Sequence, residues 1–158
     1  MSIQFGMIGG GVMGEALLSR LLAQDIYPPE QVIVSDPQAQ RREFLAERYG
    51  VSVTAENQVA AQAPVLLLAI KPQVFDAVTQ QIEASADAAS QVILSILAGL
   101  TLRRLEAAFP AQPVIRSMPN TPAIVGAGIT AIAAGTVAKP EQLWHLDYFA
   151  YGGKNLAS

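Results

Sequence analysis

The sequence has no cysteine, one histidine and few charged residues, and each scarcity excludes a class of protein. Without cysteine, disulfides and thiolate metal sites are excluded. Charged residues make up only 15% of the 158 positions and the net charge is −3, with no basic block, so no nucleic-acid partner is expected. The longest apolar run, residues 65–70, is too short to cross a bilayer, and the first residues show no leader pattern. We therefore expect a cytoplasmic protein without a membrane partner.

Sets of catalytic side chains are also missing. The sequence has no Ser/His/Asp set, zinc signature or close carboxylate pair, so it predicts no catalytic acid or base and no metal site. His145 lies beyond the regular pattern, as an ordinary surface or interface residue would. Chemistry would then depend on a bound cofactor. Hydride addition to a protonated C=N bond is compatible with such a site, because no oxygen needs an acid or base.

What the sequence does contain is a regular alternation of apolar runs and helical patterns within a chain that is 51% hydrophobic. Val74, Val78 and Ile82, spaced four apart, predict the core-facing side of one helix. The alternation predicts a Rossmann-type, doubly wound α/β fold with a mostly parallel sheet and helices on both faces. A domain over residues 1–135 and a short tail over 136–158 are expected. The predicted strands are 3–9, 31–36, 51–53, 63–70, 91–99, 113–118 and 128–134, and the main helices are 12–24, 37–50, 73–85 and 101–109.

A glycine motif, Gly9-x-Gly11-x-x-Gly14, directly follows the first strand and opens the first helix. In that context Gly9 permits a tight turn, Gly11 lets a pyrophosphate approach the backbone, and Gly14 lets the helix pack closely on the strand. The amides at the helix N-terminus would face the phosphates. The motif predicts a dinucleotide site, and a glycine-rich turn without a ligand is the alternative.

The end of the second strand bears on the choice between NAD and NADP. Asp36 would bind the adenosine ribose hydroxyls and favour NAD. Ser35 lies beside it, and Arg41 or Arg42 of the next helix could pair with a 2′-phosphate instead. Alternatively, Asp36 begins a turn and the arginines are solvated surface residues. The sequence leaves the preference between the two nucleotides open.

Three further loops are expected at the carboxyl ends of the strands, where ligands bind in an open α/β sheet. They are residues 69–73, 97–101 and 117–123. Lys71 could reach a ribose, a carboxylate or a phosphate, and prolines would stiffen the last loop. Each loop also has a plain alternative, a solvated lysine or a tight turn. Their convergence on one edge favours a wall around a nicotinamide and its acceptor.

The segments "MIGGGVMGEAL", "VIVSDP", "LLLAIKPQ", "ILSILAGLT" and "VIRSMPNTPAIVGAGITAI" resemble, in this order, the nucleotide-binding half of pyrroline-5-carboxylate reductase. The resemblance covers residues 1 to about 134. It implies proline biosynthesis through reduction of 1-pyrroline-5-carboxylate with NADP(H) or NAD(H). The implied cofactor-binding residues are Gly9, Gly10, Gly11, Val12, Met13, Gly14, Ser35, Asp36, Asn57, Ala69, Lys71, Pro72 and Ala98, and the nicotinamide or substrate side comprises Met118, Asn120, Thr121 and Pro122.

The resemblance also implies a helical C-terminal domain that forms the family's homo-oligomer and carries a substrate-binding segment. The 158 residues do not include such a segment, and the tail does not match the family pattern. We therefore expect cofactor binding with weak or absent turnover. Two alternatives remain: a reductase of the β-hydroxyacid dehydrogenase type, and a non-catalytic dinucleotide-binding module that acts through a partner.

Overall fold

The computed structural model describes residues 2–82, 91–96, 99–119 and 129–134. In chain order its elements are β1 (Phe5–Ile8), α1 (Val12–Ala23), β2 (Val32–Ser35), α2 (Ala39–Tyr49), β3 (Ser52–Thr54), α3 (Asn57–Ala60), β4 (Val65–Leu68), α4 (Phe75–Gln80), β5 (Val92–Ser95), α5 (Leu102–Ala108), β6 (Val114–Pro119) and β7 (Ile129–Ala134). Short 3₁₀ turns cover Pro29–Gln31 and Pro72–Val74.

The strands form one seven-stranded sheet in the order β3-β2-β1-β4-β5-β6-β7. Strands β1 to β6 pair in parallel, and β7 returns antiparallel to β6. From the central β1 the chain winds first towards β3 and then, from β4, in the opposite direction. This order confirms the predicted Rossmann-type, doubly wound and mostly parallel sheet.

Helices cover both faces of the sheet, as predicted. Because side chains alternate along a strand, Met7 and Ile8 of β1 enter different hydrophobic clusters. The cluster around Met7 includes Leu18 of α1 and Leu45 of α2, whereas the cluster around Ile8 includes Phe75 of α4. Each fully buried side chain of this size contributes about 1.5–3 kcal/mol through removal from water. The two clusters fix the sheet between its helix layers and hold its carboxyl edge in place.

Helix α4 begins later than the sequence predicts. Residues 72–74 form a 3₁₀ turn after Pro72, and the α-helix starts at Phe75. The later start rotates the buried face, so Phe75 and Val78 are buried while Val74 is 43% exposed. The prediction that Val74 faces the core is therefore wrong. Among the described residues, no helix is long and apolar enough to span a membrane.

Candidate functional site

The site lies where the winding of the sheet reverses, beyond the carboxyl ends of β1, β2 and β4. Backbone hydrogen bonds continue one residue past the strands, from Gly9 N to Ser35 O (2.9 Å) and from Ala69 N to Ile8 O (2.8 Å). The loops that follow the three strands consequently start side by side. This is the position at which open α/β sheets bind ligands.

The glycine loop turns tightly beneath α1. Gly9 has φ +102°, and a Cβ there would lie 2.4 Å from the Ala69 carbonyl oxygen. A Cβ on Gly14 would lie 2.5 Å from the Gly9 carbonyl oxygen, so the first helical turn packs directly on the loop. The backbone geometry thus accounts for glycine at both positions through steric exclusion. That the loop binds a ligand stays a prediction.

Gly11 is different, because a Cβ there would meet nothing within 4 Å. It is the N-cap of α1 and no side chain caps the helix. The first helical hydrogen bond runs from Glu15 N to Gly11 O (2.8 Å), so the amides of Val12, Met13 and Gly14 precede it. These amides form the positive end of the helix dipole beside open space, an arrangement suited to an anionic phosphate.

Asp36 connects the glycine loop with the turn that follows β2. One carboxylate oxygen accepts a hydrogen bond from Gly10 N (3.0 Å), and the other accepts one from Gln38 N (2.8 Å). The carboxylate is thereby fixed beside the loop. Since each carboxylate oxygen can accept more than one hydrogen bond, both can still receive donors from a ligand such as ribose hydroxyls.

Arg41 and Arg42, two of the three arginines of α2, are partly buried and bonded to the site, so they are not solvated surface residues. Arg42 donates to the backbone carbonyl of Asp36 (2.8 Å). Arg41 donates to the Gly10 carbonyl and forms an ion pair with Glu15, and its guanidinium lies 4.9 Å from the centre of the Phe44 ring. Of the two, Arg42 has no carboxylate partner within the described part of the chain.

A cavity of about 310 Å³ opens beside the glycine loop, between the ends of β1, β2 and β3 and helix α4. Its wall carries a chain of polar groups: the Ser35 hydroxyl donates to Asn57 Oδ1 (2.7 Å), and Asn57 Nδ2 donates to Gln81 Oε1 (2.7 Å). Most of the remaining wall is apolar. A narrow apolar cavity with a few amide and hydroxyl groups can accommodate a purine base.

Several cavity residues were not identified from the sequence, among them Pro37, Ala55, Val74 and Gln81. Val74 and Gln81 are seven residues apart, close to two helical turns, so helical spacing relates them. That signal is shared with ordinary core positions. The structure resolves this ambiguity, because the 3₁₀ turn before α4 leaves Val74 out of the core and on the cavity wall.

Of the other predicted site residues, some lie within the described part of the chain and the rest lie outside it. Ala69 lies beside the glycine loop, and the exposed Lys71 precedes the Pro72 turn. Met118 lies near the carboxyl end of β6, where it pairs with Ala131 of β7. Ala98, Asn120, Thr121 and Pro122 lie outside the described residues, as do His145 and the tail.

The pKa of the Glu15 carboxyl is changed by its neighbours at this site. Partial burial raises the pKa of its carboxyl, but hydrogen bonds from Tyr49 and Arg41, together with the charge of Arg41, outweigh that effect and lower it. Burial and the neighbouring carboxylate both raise the pKa of the Tyr49 phenol. At neutral pH the site therefore contains an ionised Glu15 and a neutral Tyr49. Nowhere in the described ranges do three or more potential ligand side chains cluster to hold a metal ion.

Comparison with known proteins confirms the resemblance that the sequence motifs indicate. The chain is 51% identical over 144 residues to the pyrroline-5-carboxylate reductase of Synechocystis sp., covering 90% of this chain and 53% of that protein. It is 41% identical over 140 residues to the enzyme of Pasteurella multocida, covering 85% and 50%. The chain thus spans about half the length of these relatives.

Solved structures agree on the fold. A pyrroline-5-carboxylate reductase from Coxiella burnetii superposes with a TM-score of 0.81 at 29% identity, over 89% of this chain and 52% of the other. The Plasmodium falciparum pyrroline carboxylate reductase, solved with NADP bound, superposes with a TM-score of 0.78 at 22% identity, over 93% and 53%. At that lower identity the likeness shows the fold alone.

A comparison with protein families matches a stretch that contains β1 to β5, five of the seven strands of the sheet. Residues 4–99, from before β1 to beyond β5, match the family described as NADP oxidoreductase, coenzyme F420-dependent. The matched stretch includes the glycine loop, Asp36, the cavity wall and the turn after β4. The chain therefore belongs to this family of NADP oxidoreductases.

Proposed function

We propose that this chain is the nucleotide-binding half of a reductase that transfers hydride from NADP(H), or alternatively NAD(H), to the C=N bond of 1-pyrroline-5-carboxylate. The observation that carries the proposal is the open Gly11 loop at the reversal point of the sheet. The pyrroline-5-carboxylate reductases among its relatives support the substrate. NADP(H) is placed first because the family description names it.

The described residues would hold the adenosine diphosphate portion of the nucleotide. The amides of Gly11, Val12 and Met13 would donate to the pyrophosphate, and the Asp36 carboxylate would accept from ribose hydroxyls. The cavity bounded by Ser35, Asn57 and α4 would take the adenine base. Ala69, Lys71 and Pro72 follow β4 and would contact the nucleotide from the other side of the reversal point.

The reacting end of the nucleotide would lie further along the sheet, beyond β5 and β6. Ala98 would border the nicotinamide, and Met118, Asn120, Thr121 and Pro122 would line the substrate side. When bound, a reduced nicotinamide would supply a hydride that forms a new C–H bond at the electrophilic C=N carbon, while the π electrons move to the nitrogen and the nicotinamide is oxidised. Because the imine nitrogen is already protonated, these residues need only to orient the ring and exclude water.

The domain division 1–135 and 136–158, the cytoplasmic location and the homo-oligomeric assembly stay predictions. A dimer interface and the remaining substrate contacts would come from a helical C-terminal domain of the kind the family resemblance implies. The experiment that tests the proposal is a fluorescence titration of the chain with NADPH and with NADH, followed by an assay of NADPH oxidation with 1-pyrroline-5-carboxylate.

Binding of either nucleotide with weak or no turnover is expected. Failure to bind both would contradict the proposed function. Efficient proline formation by the 158 residues would show that the described half suffices for catalysis, which would contradict the predicted need for a second domain. Binding without turnover even after a family C-terminal domain is supplied would instead favour the non-catalytic module.

A further inference from the structure

Arg41 contacts the glycine loop from behind. Its Nε donates to the Gly10 carbonyl oxygen, and its Nη2 lies 3.4 Å from the Gly11 carbonyl oxygen. The same Nη2 donates to Glu15 Oε1, one turn into α1. A single guanidinium thus joins two successive carbonyls of the loop to a carboxylate of the following helix. The planar fork of arginine can make these contacts together, whereas a lysine ammonium cannot match their geometry.

Other side chains hold Arg41 in this position. The second oxygen of Glu15 accepts a hydrogen bond from the Tyr49 hydroxyl (2.7 Å), which lies at the far end of α2. The Phe44 ring lies against the guanidinium, at 4.9 Å. The side chains of Arg41 and Glu15 are only 24% and 25% exposed, so water screens the pair less than at an open surface. The network links α1, the glycine loop and both ends of α2.

Peptide geometry gives this network a consequence for ligand binding. In a trans peptide the C=O and N–H groups point in opposite directions, and none of the described peptides is cis. Because the carbonyls of Gly10 and Gly11 face Arg41, the N–H groups of Gly11 and Val12 point away from it. The preceding peptide is fixed separately, by the bond from Gly10 N to Asp36.

We infer that Arg41 is a positioning residue for the nucleotide phosphates, held in place by Glu15 and Tyr49. It fixes the peptide that presents the Gly11 amide, and together with the helical hydrogen bond from Glu15 N to Gly11 O it fixes the peptide that presents the Val12 amide. The inference rests on the proposed nucleotide binding. It also distinguishes the role of Arg41 from that of Arg42. The charge of Arg41 is balanced by Glu15. Among the described residues Arg42 binds a neutral carbonyl and no carboxylate, which leaves its charge for a 2′-phosphate.

The test compares NADH with NADPH, because only NADPH carries the 2′-phosphate. Arg41→Gln is expected to weaken binding of both nucleotides about tenfold to hundredfold and to leave their affinity ratio unchanged, because the lost charge-assisted bonds orient amides that would bind the phosphates shared by NADH and NADPH. Glu15→Gln keeps Arg41 but removes its charged partner, so it should weaken both by a smaller factor. Arg103→Gln, an exposed arginine on the opposite face of the sheet, is the charge-matched control.

An amide spectrum supplies a readout that a general loss of stability would not move. In ¹H–¹⁵N spectra the Gly11 and Val12 signals should shift on nucleotide addition in the wild-type chain, and markedly less in both variants. A loss confined to NADPH would assign Arg41 to the 2′-phosphate and overturn the inference, as would unchanged affinity and unchanged spectra. If Arg41→Gln does not fold, Glu15→Gln decides by the same criteria. A wild-type chain that binds neither nucleotide would remove the proposed function itself.

Discussion

Substitution of two glycines in the same loop should affect different properties of the protein. A side chain at Gly9 would clash with the protein itself and lower its stability, whereas a side chain at Gly11 would clash with the predicted ligand and lower the nucleotide affinity. A Cβ on Gly11 would meet nothing within 4 Å, and its φ of −74° suits any residue. A Cβ on Gly9 would lie 2.4 Å from a backbone oxygen, at φ +102°. The substitutions Gly11→Asp and Gly9→Ala therefore separate binding from folding.

For Gly11→Asp the expected stability change is small and favourable. The residue is the N-cap of α1, where aspartate improves on glycine by a few tenths of a kcal/mol and its charge adds about 0.3–1 kcal/mol against the helix dipole. The same carboxylate would occupy the amides and repel the nucleotide phosphates. Loss of one charge-assisted contact lowers the affinity by at least about tenfold. Gly11→Asn, which caps without charge, should bind better than Gly11→Asp.

For Gly9→Ala the protein itself should be damaged. Backbone strain costs about 1–3 kcal/mol and overpacking about 1–3 kcal/mol, so the sum is about 2–6 kcal/mol. In a domain of this size the melting temperature should fall by at least about 4 °C. Thermal unfolding followed by circular dichroism and the nucleotide titration measure the two effects. Wild-type affinity in Gly11→Asp would refute the assignment of the phosphates to this loop, and an unchanged melting temperature in Gly9→Ala would refute the packing argument.

Three further substitutions test other parts of the structure. Asp36→Asn keeps an acceptor for Gly10 N, loses the acceptor for Gln38 N and removes a charge near the predicted 2′-phosphate. The ratio of NADPH to NADH affinity in parallel titrations should therefore rise at least about fivefold, and an unchanged ratio would contradict this. Because the pKa of Glu15 is lowered in the folded state, its ionised carboxyl stabilises the fold fully above pH 4.5, its ordinary pKa, and this stabilisation is lost as the pH falls through the lower folded-state pKa. In urea unfolding across this range, the free energy of unfolding should depend less on acid in Glu15→Gln than in the wild type. The same pH dependence in both proteins would contradict this. Phe75→Ala should lower the free energy of unfolding by about 3–5 kcal/mol in urea, whereas a loss below about 1 kcal/mol would contradict its place in the core.

The strands β1, β2, β4 and β5 could be predicted from the sequence because their residues are buried on both faces of the sheet. Continuous apolar runs such as residues 65–68 have few competing interpretations between helical patterns, and even the seventh strand was located within one residue. Helix starts were less predictable. The helix predicted from Pro37 begins at Ala39, and the helix predicted from residue 73 begins at Phe75, because an Asx-type turn at Asp36 and a 3₁₀ turn after Lys71 precede them.

The candidate site was predictable only where local chemistry dictates it. A strand–turn–helix unit requires glycine at positions 9 and 14, so the conformation of this loop could be predicted from the sequence. The contacts of Arg41 with Gly10, some thirty residues away, depend on how α2 packs beside α1. The hydrogen-bonded chain from Ser35 through Asn57 to Gln81, just after α4, likewise joins three separate segments. Such long-range contacts leave no periodic signal in a single sequence.

The position of the site along the chain indicates which residues would determine nucleotide affinity and which would determine the rate of the hydride step. The glycine loop, the turn with Asp36 and the cavity are all built from residues 8–81, within the stretch that matches the family. In the proposed function these groups would bind the adenosine and the phosphates, which are common to the oxidised and the reduced nucleotide. Their interactions are therefore uniform binding, which strengthens association without lowering the barrier of the hydride step. Discrimination between the nucleotide's ground state and the transition state must come from groups beyond β5 and β6, so a change in the Arg41 network should alter nucleotide affinity in any longer enzyme and leave its kcat nearly unchanged.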